Sequence, residues 1–286
     1  MHSLLRKHVP SSIRRRARAI RETLHLCRRG LDEFRLSTAH GALRSSADLN
    51  RSQKLDLNLH FQHREKAEVA FTVASSWYGG DYMEFGAHDL TTFRNMLTAY
   101  DVCCLDQRFP DTRFYAFDIF GSLANASREA LESIAPIEGD HQYFANFMTE
   151  GDLLERHLQY VRDHGLFEER CTLVQGLFED TLTEERRVRY RDSGRRIGFA
   201  FVDVNIWPSY KSVLEFIYPL MAENSYIYMD EFFQNSAVLV EMEEFVARLR
   251  DERGIGVHYM RNAAGFGGLL RLYSLTAPEP RLKLSL

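Results

Sequence analysis

Tyr82-Met83-Glu84-Phe85-Gly86-Ala87-His88-Asp89-Leu90-Thr91-Thr92 reads as an apolar strand that ends in a glycine turn and passes directly into a helix. In an open α/β sheet, ligands lie beyond the carboxyl ends of the strands. There a glycine such as Gly86 permits close backbone approach, and the following helix offers N–H groups. A helix expected over about 61–78 precedes the motif and stops at the breaker pair Gly79-Gly80.

Downstream, strand and helix patterns alternate, which predicts crossover units and a mostly parallel sheet. Strands are expected near 81–86, 112–118, 170–175, 197–203, 225–230, 255–260 and 267–274, with helices near 91–105, 150–163, 208–221 and 236–252. Asn262-Ala263-Ala264-Gly265 is too short to hold a crossover helix, so the last two strands should pair antiparallel. The expected fold is α/β, a seven-stranded sheet closed by a C-terminal antiparallel hairpin.

Acids recur where these strands end. Phe114-Tyr115-Ala116-Phe117-Asp118 places a carboxylate at the end of the second strand, where it can accept from both hydroxyls of a ribose; a solvated loop acid is the alternative. Phe201-Val202-Asp203-Val204-Asn205-Ile206-Trp207 and Tyr228-Met229-Asp230-Glu231 end two further strands, separated by enough chain for one helix and one strand. Asp203 and Asp230 should therefore be neighbours on one edge of the sheet. Converging carboxylates repel unless a cation or bound protons offset their charge. Oxygen ligands without Cys or His suit magnesium or another divalent ion rather than zinc, so Asp203, Asp230 and Glu231 form the candidate metal set. Solvated acids at strand ends are the competing reading. Trp207, Tyr210, Phe232 and Phe233 lie nearby in sequence and could stack on an acceptor or belong to the core.

The blocks Glu84-Phe85-Gly86, Phe117-Asp118, Leu173 to Leu182, Asp203 to Trp207 and Asp230-Glu231, in this order and spacing, resemble the macrocin O-methyltransferase family over roughly residues 65–275. The resemblance implies a Rossmann-like class I methyltransferase fold, S-adenosylmethionine as cofactor, Mg2+, and transfer of a methyl group to a sugar hydroxyl of a natural product. Carried over by position, it implies cofactor contacts from Glu84, Phe85, Gly86 and Thr92, a ribose contact from Asp118, and contacts near the adenine from Phe178 and Glu179. Asp203 would combine metal binding with a role as base, and His88 is a second candidate base. Two departures stand out: Leu90-Thr91-Thr92 replaces a glycine-rich turn, and Asn205 replaces an acid. They are what a methyltransferase-fold binding or assembly module without transfer activity would show, and that is the alternative reading.

The 286 residues are 45% hydrophobic and 27% charged, enough to bury a large core. A net charge of -4 argues against a general nucleic-acid binder. Four cysteines without paired spacing argue against a zinc site or a disulfide scaffold and favour a reducing, cytoplasmic compartment. No apolar run approaches the ~20 residues that cross a bilayer. Residues 1–60 read as a basic extension and a connection, and 61–286 as the methyltransferase-like domain. Ile13, Ala17, Ile20 and Leu24 form an apolar stripe on an arginine-rich helix. Such a helix suits an anionic membrane surface, an acidic partner, self-association with another copy of the acidic domain in a homo-oligomer, or packing on its own domain.

Overall fold

The computed structural model describes residues 64–120, 153–204, 207–230, 232, 236–263 and 267–275. All of them belong to one compact unit, His60–Leu286. The expected basic helix, Asn205, Glu231 and Phe233 lie outside the described residues.

The elements run in the order α1 (residues 64–75), β1 (Asp81–Phe85), α2 (Thr91–Val102), β2 (Phe114–Asp118), α3 (Leu153–His164), β3 (Cys171–Gln175), α4 (Phe178–Thr181) and α5 (Glu184–Asp192). They continue with β4 (Ile197–Val202), α6 (Trp207–Ile217), β5 (Met221–Met229), α7 (Ser236–Arg253), β6 (Ile255–Ala263) and β7 (Gly267–Ser274). The seven strands form one sheet in the order β3-β2-β1-β4-β5-β7-β6. The first five are mutually parallel, whereas β7 runs antiparallel to both β5 and β6. The expected hairpin is thus present, with its second strand inserted between β5 and β6. Among the described residues, no helix is long and apolar enough to cross a membrane.

Strand alternation sorts the core into two layers. Met83 and Phe85 on β1, Ala200 and Val202 on β4, and Ile227 and Met229 on β5 face one way and pack with α6 and α7. Tyr82, Phe199, Phe201, Tyr226 and Tyr228 face the other way and pack with α1 and α2. All eleven of these side chains are at most 1% exposed, and each is worth about 1.5–3 kcal/mol of burial if an aliphatic or aromatic side chain of ordinary size. Helix α1 joins the second layer through Val69, Ala70, Val73 and Ala74, whose spacing makes one apolar stripe.

The amino end of β1 is pinned by a buried carboxylate. Asp81 is 1% exposed and accepts from the Arg113 amide at 2.8 Å, the Tyr190 hydroxyl at 2.7 Å and the Arg195 Nε at 2.6 Å. Its partners come from the start of β2, from α5 and from the lead into β4, so one charge ties three segments together. The chain then runs along β1 to the opposite end of the strand, where the acids singled out above are found.

Candidate active site

Because side chains alternate, the residue two beyond an α1-facing position faces α1 again. Glu84 follows Tyr82 in this way, Asp203 follows Phe201, and Asp230 follows Tyr228. The parallel ladders continue past the strand ends, with the Asp203 amide donating to the Phe85 carbonyl and the Asp230 amide to the Val202 carbonyl, each at 2.9 Å. Three acids from adjacent strands therefore share one face and one edge of the sheet.

The cation among them comes from α1. The Lys66 Nζ lies 2.7 Å from Asp203 Oδ2 and 3.1 Å from Asp230 Oδ2. The Lys66 side chain is 11% exposed, against 22% for Asp203 and 20% for Asp230, so the pair of carboxylates keeps an opening to solvent while the lysine stem is covered. The other oxygen of Asp230 accepts from the Tyr228 hydroxyl at 2.6 Å. Burial disfavours the Lys66 ammonium, but the Asp203 and Asp230 charges outweigh it and hold its pKa above the ordinary lysine value. Burial, followed by the Asp230 charge, pushes Asp203 up to about 7 against the opposing pull of Lys66.

Glu84 is fully buried. Its Oε2 accepts from the Tyr82 hydroxyl at 2.5 Å and its Oε1 from the Thr92 hydroxyl at the start of α2. Burial raises it to about 8, offset in part by those two hydrogen bonds. Burial thus favours the neutral carboxyl of Glu84, and Thr92 is joined to it rather than standing alone.

The turn between β1 and α2 has a specific shape. Gly86 adopts φ +81°, and a Cβ there would sit 1.9 Å from the Asp203 carbonyl oxygen. Glycine is required because two strand ends approach one another, a reason distinct from the ligand approach expected from the sequence. His88 and Leu90 also take positive φ, at 39° and 60°. The glycine-like backbone of the turn is thus retained without glycine, at a cost of roughly 1–2 kcal/mol per residue, and the fully buried Leu90 side chain anchors it. Asp89, one residue ahead of the N-cap Leu90, accepts from the Thr91 amide at 2.9 Å and the Thr91 hydroxyl at 2.7 Å.

Asp118, at the end of β2, orients this turn. Its Oδ2 accepts from the His88 amide at 2.8 Å and its Oδ1 from the Phe120 amide at 3.1 Å. Each carboxylate oxygen has room for a second donor. The remaining sequence candidates fall elsewhere. The Phe85 ring is fully buried and stacks on Phe117 with centroids 5.0 Å apart. Phe178 packs edge-on against Phe85 at 6.3 Å. Phe178 and Glu179 line a cavity of about 330 Å³ with Leu182, Arg187, Lys211 and Phe216. None of Glu84, Asp118, Asp203 and Asp230 lines that cavity, and the chemistry centres on the strand ends. Tyr210 is fully buried in the core, and Phe232 stacks on Tyr259 at 6.2 Å.

Of the expected magnesium set, Asp203 and Asp230 lie among the described residues and Glu231 does not. Among the described residues no three His, Cys, Asp or Glu side chains are grouped to hold a metal ion. Asp203 and Asp230 are joined by an ammonium, and the third acid on their face is the hydrogen-bonded Glu84, whereas Glu231 lies outside the described residues. Between the two described carboxylates of the set, the space is taken by the Lys66 ammonium. Lys66 was missed in the sequence, although the signal was available: it lies one turn before Ala70 and two before Val73, on the apolar stripe of its helix, where an unpaired charge is costly.

No protein-family model matches the chain, and no curated protein matches it. Among solved structures, the O-methyltransferase NovP superposes with a TM-score of 0.52 at 15% identity, covering 73% of this chain and 80% of NovP. CalS11, a calicheamicin methyltransferase, superposes with a TM-score of 0.43 at 18% identity, over 83% of this chain and 90% of its own. TomG from Streptomyces achromogenes, an O-methyltransferase of tomaymycin synthesis, gives 0.46 at 12% identity, over 74% and 79%. The sheet order, the antiparallel β7 and the likeness to NovP define a Rossmann-like class I methyltransferase fold.

Proposed function

We propose that the protein is an S-adenosylmethionine-dependent O-methyltransferase whose acceptor is a hydroxyl of a small molecule, a sugar or a glycosylated natural product. The observation that carries this reading is the alignment of Glu84, Asp203 and Asp230 on one face at the carboxyl ends of β1, β4 and β5, beside the Asp118-oriented turn. A fold alone does not fix an activity, whereas this edge supplies acceptors for a ribose at Asp118 and a carboxylate suited to proton transfer at Asp203. The sugar class of acceptor rests on the five-block resemblance.

Bound S-adenosylmethionine would supply an electrophilic methyl group, whose carbon exchanges its bond to sulfur for a bond to the acceptor oxygen, the electron pair staying on sulfur. Asp203 takes the proton of that hydroxyl, which is a poor nucleophile at neutral pH without a base in hydrogen-bond reach. Asp118 holds the ribose hydroxyls. Glu84, through Tyr82 and Thr92, fixes the spacing of β1 and α2 on either side of the turn. Most of the acceleration comes from positioning two bound substrates. No step runs through a metal ion. The basic arm, residues 1–30, is an accessory element in this reading.

Calorimetry with S-adenosylmethionine and S-adenosylhomocysteine, followed by mass spectrometry of sugar nucleotides and glycosides incubated with the enzyme, tests the reading. Micromolar cofactor binding and a 14 Da gain that requires S-adenosylmethionine are expected. Absence of binding by either sulfur compound removes it and favours the binding-module alternative.

A further inference from the structure

We infer that the Lys66 ammonium is the cation of this site, occupying the space between Asp203 and Asp230 that a divalent ion would otherwise fill, and that it engages the acceptor oxygen in place of a metal. The inference deepens the methyltransferase reading and rests on it for the identity of that acceptor.

The geometry is that of a shared ligand. A single Nζ is within hydrogen-bond distance of carboxylate oxygens from two different strands, at 2.7 and 3.1 Å. Any ion ligated by both oxygens would need the space the nitrogen holds, since magnesium sits about 2.0–2.1 Å from its ligands. An ammonium has three N–H donors. Two are directed at Asp203 and Asp230, and the third has no partner among the described residues. The carboxylates are a fifth exposed and the lysine side chain is about half as exposed. A hydroxyl arriving from the open side therefore meets Asp203 as acceptor and the ammonium as donor.

A purely structural ion pair is a poorer account. Lys66 extends from the apolar stripe of α1, whose neighbours Val69, Ala70 and Val73 are at most 3% exposed. Replacing a buried pair by apolar residues is often neutral or stabilising. The charge is placed instead at the one edge where three acids converge. It is also fixed covalently, so its occupancy does not depend on the concentration of a free ion.

Electron paramagnetic resonance of Mn2+ titrated into the full-length protein tests this without an acceptor in hand. Wild type is expected to leave Mn2+ free, while Lys66→Met, which keeps the stem and removes the charge, is expected to bind it at least about tenfold more tightly. That gain should vanish in the double variant Lys66→Met/Asp203→Asn. Stoichiometric Mn2+ binding by wild type that is lost in Asp203→Asn overturns the inference. So does a folded Lys66→Met protein that binds no Mn2+. Lys66→Gln is read in the same way should the Met variant fail to fold. S-adenosylhomocysteine calorimetry on the same samples reports separately on the methyltransferase reading, so failure of one is not mistaken for failure of the other.

Discussion

Gly86 and Asp203 meet backbone to backbone: a Cβ on Gly86 would lie 1.9 Å from the Asp203 carbonyl oxygen. The Asp203 amide is also held by the Phe85 carbonyl at 2.9 Å. The main chain that carries the proposed base is thus set by the residue pair at the end of β1. Gly86→Ala must relieve both the overlap and the positive φ, and is expected to destabilise the protein by at least about 2 kcal/mol. Urea unfolding measures this. A variant with unchanged stability and unchanged transfer would show that the close approach is not maintained in solution.

Asp118 is expected to carry much of the cofactor affinity. Removing an ionised acceptor costs about 1.5–3 kcal/mol, or roughly tenfold or more in binding. Asp118→Ala also frees the His88 and Phe120 amides, so part of the loss comes from the turn itself. Asp118→Asn keeps one carbonyl oxygen as an acceptor and should lose less. The measurement is S-adenosylhomocysteine calorimetry, and unaltered binding in Asp118→Ala would place the ribose elsewhere.

At the opposite end of β1, Asp81 offers a control with the reverse signature. It is buried, paired with Arg195 and hydrogen-bonded to Tyr190, far along the strand from the acids of the site. Asp81→Asn leaves a guanidinium without its counter-charge. Breaking a buried pair costs about 3–5 kcal/mol, and the lower end applies because the Arg195 side chain is 25% exposed. The melting temperature should fall while S-adenosylhomocysteine affinity at a temperature below the transition stays within twofold. A selective loss of affinity would mean that the two ends of the strand are coupled.

These residues also show which parts of the molecule can be read before the structure is seen. Strands β1, β2 and β4 announce themselves because each is a short run dominated by apolar and aromatic residues, with Asp81, Glu84 and Gly198 as the exceptions, and a glycine or acid closes or follows it. The helix α5 does not. In Glu184–Asp192 only Val188 and Tyr190 interrupt the charges, and its best marker is Thr183, whose hydroxyl accepts from the Arg186 amide ahead of two glutamates in the first turn. Strand β5 begins at Met221, earlier than expected, because Glu223 and Asn224 read as a loop and Asn224 takes φ 62° within an irregular register. The carboxylates at the strand ends were legible because alternation and spacing place them. Their cation was legible only in part: a charge on the apolar stripe of α1 marks Lys66 as unusual, but its partners emerge only once α1 is laid across β4 and β5, a tertiary relationship that helical periodicity does not encode.

The buried carboxyl of Glu84 gives a pH dependence of definite sign. Its folded pKa is raised to about 8 by burial, while in the unfolded chain it titrates near the ordinary value of about 4.3. Between those values the folded state holds a proton that the unfolded state has released. Stability must therefore decline as pH rises through this window, having been fully present below it. Glu84→Gln is neutral at every pH and removes the contribution, and it retains hydrogen bonding to Tyr82 and Thr92. Wild type is expected to lose on the order of a few kcal/mol relative to Glu84→Gln between pH 5 and 8. Asp203, raised to about 7, acts in the same direction in both proteins and cancels to first order in the comparison. Chemical denaturation of the two proteins at half-unit pH intervals measures the difference. Parallel curves would show that Glu84 titrates in the folded state as it does in the unfolded chain, its hydrogen bonds and the Lys66 charge together cancelling the effect of burial.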